Sequence, residues 1–224
     1  MFYRLRDGLY HCSVGASIIF LDVTENRYFA VPSAGVEAFR RLVLRNGEDF
    51  PGADVALSPL IQKGYLVQSS DPYTAFPTTR TYPAMTDQES SGQSPLHLPT
   101  FLLALSWEFI ISWRLRRCAL SSVIEMSSRI SRDNVWSEEI RTLRIQRAVT
   151  AFAHTGFIFG RTDRCLPRSL AMYSLCRSLG VSIQCVIGVR SNPFAAHAWA
   201  QDKDWILNDS VEEVGHYSPI LVLS

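Results

Sequence analysis

Lysine is almost missing from this chain: of 22 basic residues, only Lys63 and Lys203 are lysines. The arginine excess reads first as a compositional bias and second as a phosphate-binding surface. A formal net charge of +1 excludes a strongly basic nucleic-acid binder, so no nucleic-acid partner is expected. Closely paired cysteines are missing too. Cys12, Cys118, Cys165, Cys176 and Cys185 include no CxxC spacing, and no HExxH occurs, so no zinc site is indicated. There is no Walker loop and no GxGxxG, which removes the usual nucleotide signatures. No metal and no cofactor is therefore expected. The cysteines are odd in number and no secretory signal is evident, so free thiols in a reducing cytoplasm are the expected setting. Long apolar runs are scarce. The most apolar, TFLLALSWEFIISW (100–113), contains Glu108 and falls short of the ~20 residues that span a bilayer. A buried amphipathic helix is expected there, with no stable membrane insertion.

What is present suits a folded α+β protein. The 224 residues are 47% hydrophobic and 19% charged, enough to bury a core in one or two domains. Residues 1–68 read as a small module. ASIIFLDVT (16–24) and NRYFAV (26–31) alternate as two strands around a turn at Glu25-Asn26. PSAGVEAFRRLVL (32–44) and ADVALSPLIQKG (53–64) carry helical periodicity, and YLVQ (65–68) returns as a strand. That order fits a winged-helix-like module. Residues 69–96 are rich in Ser, Thr and Pro and read as a linker. A second domain spans 97–224. Its first part is helical (98–130, 140–156 and 165–179), and its last part is stranded (181–189, 195–201 and 205–209).

The stretch RTDRCLPRSLAMYSLCRSLG (161–180) places Cys165 at the start of a helix, with Pro167 in the first turn. Free backbone N–H groups and the positive dipole end favour a thiolate there, and Arg164 and Arg168 act in the same direction. His197 lies in FAAHAWAQDKDWILND, which reads as a hairpin. A three-residue loop centred on Lys203 pairs Gln201 with Trp205, Trp199 with Leu207 and His197 with Asp209. The carboxylate then shares a face with the imidazole and can fix its tautomer. Another register puts Asn208 opposite His197 and gives a Cys-His-Asn set. Asp202 and Asp204 read as turn formers. Cys165, His197 and Asp209 together supply a nucleophile, a base and an orienting carboxylate. The Cys165 backbone N–H is a candidate oxyanion donor, with Gln184 as a candidate second. Cys176, eleven residues further along the same helix, reads as core, and His154 as a packed or capping residue. His11, His97 and His216 show no partner pattern.

CLPRSLAMYSLCRSLG, followed by FAAHAWAQ and ILND, resembles the transglutaminase-like cysteine peptidase domain of lasso-peptide biosynthesis B proteins over about residues 97–215. The resemblance implies a papain- or transglutaminase-like fold, with Cys165, His197 and Asp209 as the functional set. Residues 1–68 are similar to PqqD-like domains that bind leader peptides. That likeness implies a precursor leader added as a strand beside Arg27, Tyr28, Phe29 and Val31, with apolar side chains lodged against Leu57, Leu60 and Ile61. It also implies two partners: the precursor peptide and an ATP-dependent, asparagine synthetase-like lasso cyclase. On this reading the chain is a leader peptidase acting before macrolactam formation. An amine-accepting acyl transferase and a non-catalytic scaffold that presents the precursor are the other functions consistent with the sequence.

Overall fold

The computed structural model describes residues 1–70, 76, 81–87, 95–130, 136–160 and 164–224. The chain divides into two compact units, Met1–Thr79 and Arg80–Ser224.

The first unit runs β1 (Phe2–Leu5), β2 (Leu9–Val14), β3 (Ser17–Asp22), β4 (Arg27–Ala30), α1 (Ser33–Leu44), α2 (Ala53–Ala56), α3 (Ser58–Gln62) and β5 (Leu66–Ser69). Strands β2, β3 and β4 form one antiparallel sheet in that order, and β1 pairs with β5 in another. The hairpin, the first long helix and the return strand fall where the sequence pattern puts them. β1 and β2 are additions, because FYRL and LYHCSV are short and their polar residues break the alternation. The β1 partner lies some sixty residues away, so only tertiary folding creates the pair. Phe20 of β3 and Phe39 of α1 meet edge-to-face at the centre of the core, with the His11 ring against both. Asp22 is fully buried, yet it is held by Arg6 and by the backbone N–H groups of Thr24 and Glu25. A buried carboxylate is tolerated only with such partners.

The second unit runs β6 (Thr86–Asp87), α4 (Leu98–Leu115), α5 (Leu120–Ser128), α6 (Glu138–Phe159), α7 (Cys165–Ser178), β7 (Gln184–Ser191), β8 (Phe194–Asp202), β9 (Trp205–Ile206), α8 (Val211–Val214) and β10 (Ser218–Leu223). Its five-stranded sheet has the order β10-β7-β8-β9-β6, antiparallel except for β6 beside β9. The expected 69–96 linker needs correcting here. Met85 and Thr86 donate their N–H groups to the Asp204 carbonyl, so β6 belongs to this sheet. Residues 71–75, 77–80 and 88–94 of that stretch lie outside the described residues.

Helix α7 is the centre of the unit. Every residue from Ser169 to Cys176 is buried, so the helix has no solvent face over two turns. Its buried serines are satisfied: Ser174 Oγ donates to the Leu170 carbonyl at 2.8 Å. Helix α4 corrects a second expectation. It extends past the apolar run to 18 residues, and it is the one helix among the described residues long and apolar enough to cross a membrane. It buries Thr100, Ala104, Glu108 and Ile111 on one face, but it exposes Leu98, Leu102, Phe109 and Trp113 on the other, so it is not amphipathic. His97, without a partner pattern in the sequence, caps this helix by accepting the Thr100 N–H.

Glu108 is fully buried, 3.5 Å from an Arg164 Nη, and among the described residues neither carboxylate oxygen is hydrogen-bonded. Removing one member of a buried pair leaves the other uncompensated. Glu108→Ala is expected to cost about 3 kcal/mol of stability in urea unfolding. Replacing both Glu108 and Arg164 by Met is expected to recover most of that loss.

Candidate active site

Cys165 is the first residue of α7, and Arg164 in the cap position offers no side-chain cap. The first-turn N–H groups are therefore available to the sulfur. The Leu166 N–H reaches it from the helix, and the Ala198 N–H reaches it from β8. His197 precedes Ala198 on β8. Its Nε2 lies 2.5 Å from Asp209 Oδ2, and its ring is also hydrogen-bonded to the Cys165 thiol. Asp209 is held in turn, since its Oδ1 accepts the Ser210 N–H at 2.8 Å. The three residues named from sequence thus meet at one point.

They do so by a route the hairpin register does not supply. The observed ladder pairs Asp202 with Trp205 and Gln201 with Ile206, around a two-residue turn with Lys203 at φ 54°. This is one residue out from the expected register, and a one-residue slip exchanges faces along a strand. The ladder ends first. Leu207 N–H still donates to the Ala200 carbonyl, but the chain then bends, so Asp209 is freed from strand alternation and turns to His197. The Asn208 alternative is closed by its contacts: its Oδ1 accepts the Ala200 N–H at 2.7 Å, and its Nδ2 donates to Ser169 Oγ at 2.9 Å. Asp202 serves as an anchor for Arg141 rather than only as a turn former.

Two residues that flank the imidazole were not read as part of the site. The Tyr217 ring lies 5.1 Å from the His197 ring and the Trp199 ring 6.3 Å, measured between centroids. Gly188, opposite His197 on β7, gives both aromatics room. A Cβ there would come within 2.9 Å of the Trp199 ring and of Tyr217 Cβ. A lone glycine inside an apolar strand is the one signal that could have marked this place.

The set lines a cavity of about 530 Å³. Cys165, His197, Asn208, Asp209, Arg164 and Arg168 supply its polar wall, and Val149, Phe152, Ala153, Met172 and Leu207 its apolar wall. Gln184 is not part of it. That residue pairs with Gln201 at the other end of β7 and accepts from Thr81 at 3.2 Å, so it cannot be the second oxyanion donor. Among the described residues, no group of three or more His, Cys, Asp or Glu side chains is placed to hold a metal ion.

The residues expected to touch a leader peptide divide between core and sheet edge. Val31, Leu57 and Leu60 are core side chains of the first unit and offer no surface to a ligand. Phe29 is stacked between Phe20 and Tyr65, and Ile61 is partly buried against the same core. Arg27 binds the Tyr65 hydroxyl at 2.6 Å and Glu25 at 2.7 Å. Tyr28 pairs with Leu21 on β4, which is an edge strand of the three-stranded sheet. Helix α3 turns Leu60 into the core and leaves Ile61 partly exposed, whereas Arg27, Tyr28 and Phe29 lie on the β4 edge.

The electrostatics favour an ion pair. Burial pushes the Cys165 thiol up, but the hydrogen bond and charge of His197, with the Ala198 and Leu166 N–H groups, outweigh it and hold the thiol below its ordinary value of 9.0. His197 is raised to about 10, first by its bond to Asp209 and then by its bond to Cys165. Burial alone pushes Cys12 to about 11 and, foremost, carries Cys176 and Cys185 to about 12. These thiols are inert by comparison. Iodoacetamide is therefore expected to modify Cys165 well before these three, with a pH midpoint below 9.0. His197→Ala removes the cation and leaves the effect of burial, so the midpoint should rise. Each pKa unit is about tenfold in thiolate at neutral pH. Peptide mass mapping of alkylation across pH 5 to 11, roughly, checks both expectations.

Comparison with known proteins adds one finding. No curated protein and no solved structure matches the chain significantly. A family model, described as the transglutaminase-like superfamily, matches residues 105–222, more than half of the chain. The match begins within α4, ends within β10 and takes in Cys165, His197 and Asp209. With a thiol, an imidazole and a carboxylate assembled inside the matched region, the chain belongs to the transglutaminase-like superfamily.

Proposed function

We propose that this protein is a cysteine peptidase that removes the leader from a ribosomally made precursor peptide. One observation carries the reading: a Cys165 thiol bonded to His197, whose Nε2 is held by Asp209, on the wall of a cavity of about 530 Å³. The Cys165 thiolate attacks the scissile carbonyl carbon. The tetrahedral oxyanion forms beside the Cys165 N–H at the positive end of α7. The C–N bond breaks, and the His197 imidazolium gives its proton to the leaving amine. A thioester remains on Cys165. Water attacks it, His197 takes the proton of the water, and the C–S bond breaks to return the Cys165 thiolate beside the His197 imidazolium, with a free carboxyl. The first unit would hold the leader, as the PqqD-like resemblance implies, in the manner of strand addition. The freed amine of the core peptide would pass to an ATP-dependent cyclase that closes a macrolactam.

The family match also favours a second reading, in which an amine rather than water accepts the acyl group. Both share the thioester, and they differ in product mass. Incubation of a leader-bearing precursor with the protein is expected to give two fragments whose masses sum to the precursor plus one water. Cys165→Ala is expected to abolish them, with at least a thousandfold loss of rate, on the order of that seen when a nucleophile is removed. A product bearing an added amine would establish the transferase instead. Cleavage by the Cys165→Ala protein would remove both readings.

A further inference from the structure

Ser169 lies four residues after Cys165 on α7, so the two share a face one turn apart. Its side chain is fully buried. The hydroxyl donates to the Ala198 carbonyl at 2.9 Å and accepts from Asn208 Nδ2 at 2.9 Å. Asn208 Oδ1 accepts the Ala200 N–H at 2.7 Å. One hydroxyl therefore joins three segments: the helix that carries the thiol, the strand that carries the imidazole and the bend that carries the carboxylate.

Each of these bonds lies beside a member of the proposed catalytic set. Ala198 follows His197, and its N–H points to the Cys165 sulfur while its carbonyl meets Ser169. The height of β8 against α7 is thus fixed on both sides of one residue. Asn208 precedes Asp209 in a segment where strand pairing has ended. No ladder hydrogen bond aims Asp209 there, and the two amide bonds of Asn208 take that role. A shift of about 1 Å in such a constellation is enough to cost much of its reactivity.

We propose that Ser169 and Asn208 are positioning residues that clamp α7, β8 and the Asp209 bend, and so hold Cys165, His197 and Asp209 in register. The proposal rests on the reading of those three as the catalytic set. Asn208 is the better residue to change, because it is only partly buried and truncation leaves no core cavity. Ser169→Ala tests the other end of the clamp. Ser174→Ala is the control: it is equally buried on the same helix, but its hydroxyl bonds Leu170 and Ser127, away from the cavity.

The experiment is the pH profile of iodoacetamide modification at Cys165, read by peptide mass, alongside thermal unfolding of the full chain. Wild type, Asn208→Ala, Ser169→Ala, Ser174→Ala and His197→Ala are compared. Asn208→Ala and Ser169→Ala are expected to raise the midpoint and slow modification at neutral pH by about tenfold, one pKa unit. Ser174→Ala is expected to lower the melting temperature and leave the midpoint in place. If Asn208→Ala and Ser169→Ala behave like Ser174→Ala while His197→Ala still moves the midpoint, the clamp is wrong and the catalytic pair stands. If His197→Ala moves nothing, the catalytic reading fails and the clamp falls with it.

Discussion

The second unit is organised by a helix that has no outside. Helix α7 is buried throughout its middle, with α4, α5 and α6 packed on it from some directions and the sheet from another. A helix in that position has no freedom to rotate or slide without opening the core, because interiors are close to crystal packing density. Its first residue is therefore fixed in space. The thiol of Cys165 sits at the N-terminal end, where α7 leaves the core, so a helix anchored on all sides presents the reactive group. Arg164, one residue earlier, is bound to Ser112 Oγ at 2.8 Å and to the Phe159 carbonyl at 3.2 Å, which ties that end to α4 and α6.

Against this frame, the charge state of the site is a contest between burial and partners. Burial is the largest single influence on the thiol and works against ionisation. The same burial strengthens every hydrogen bond to the thiolate. His197 gains from both sides, since Asp209 and Cys165 each favour the imidazolium. The comparison with Cys176 and Cys185 shows what burial does where no imidazolium compensates it. All three are thiols of one domain, and neighbours rather than residue type separate a nucleophile from core.

The first unit has a different logic. Its centre is an aromatic cluster of Phe20, Phe29, Phe39 and Tyr65, with His11 folded into it and Arg27 over the outer rings. Burial carries His11 down to about 4, so the ring remains neutral and packs as an aromatic body. The residues first considered for peptide contact are largely the ones that build this core. A small domain has few apolar residues to spare, and the side chains that look like a ligand groove in sequence are the ones it must bury.

The sequence by itself determined the α+β composition, the helical and stranded halves of the second unit, and the places of Cys165 at a helix start and His197 on a strand. These were legible because they rest on local chemistry: Pro167 in a first turn, apolar periodicity and a histidine in an alternating strand. The tertiary structure alone decided how the carboxylate reaches the imidazole. The hairpin register inferred from the turn was one residue out, and Asp209 arrives because the ladder stops and Asn208 holds the bend through Ser169, thirty-nine residues earlier. Gln184 looked available because polarity is visible in a sequence and strand position is not. The β1–β5 pair, the short β6 and the room that Gly188 gives to Trp199 and Tyr217 were hidden for the same reason. Each depends on a partner distant along the chain, and periodicity reports only which face a residue takes, never what that face will meet.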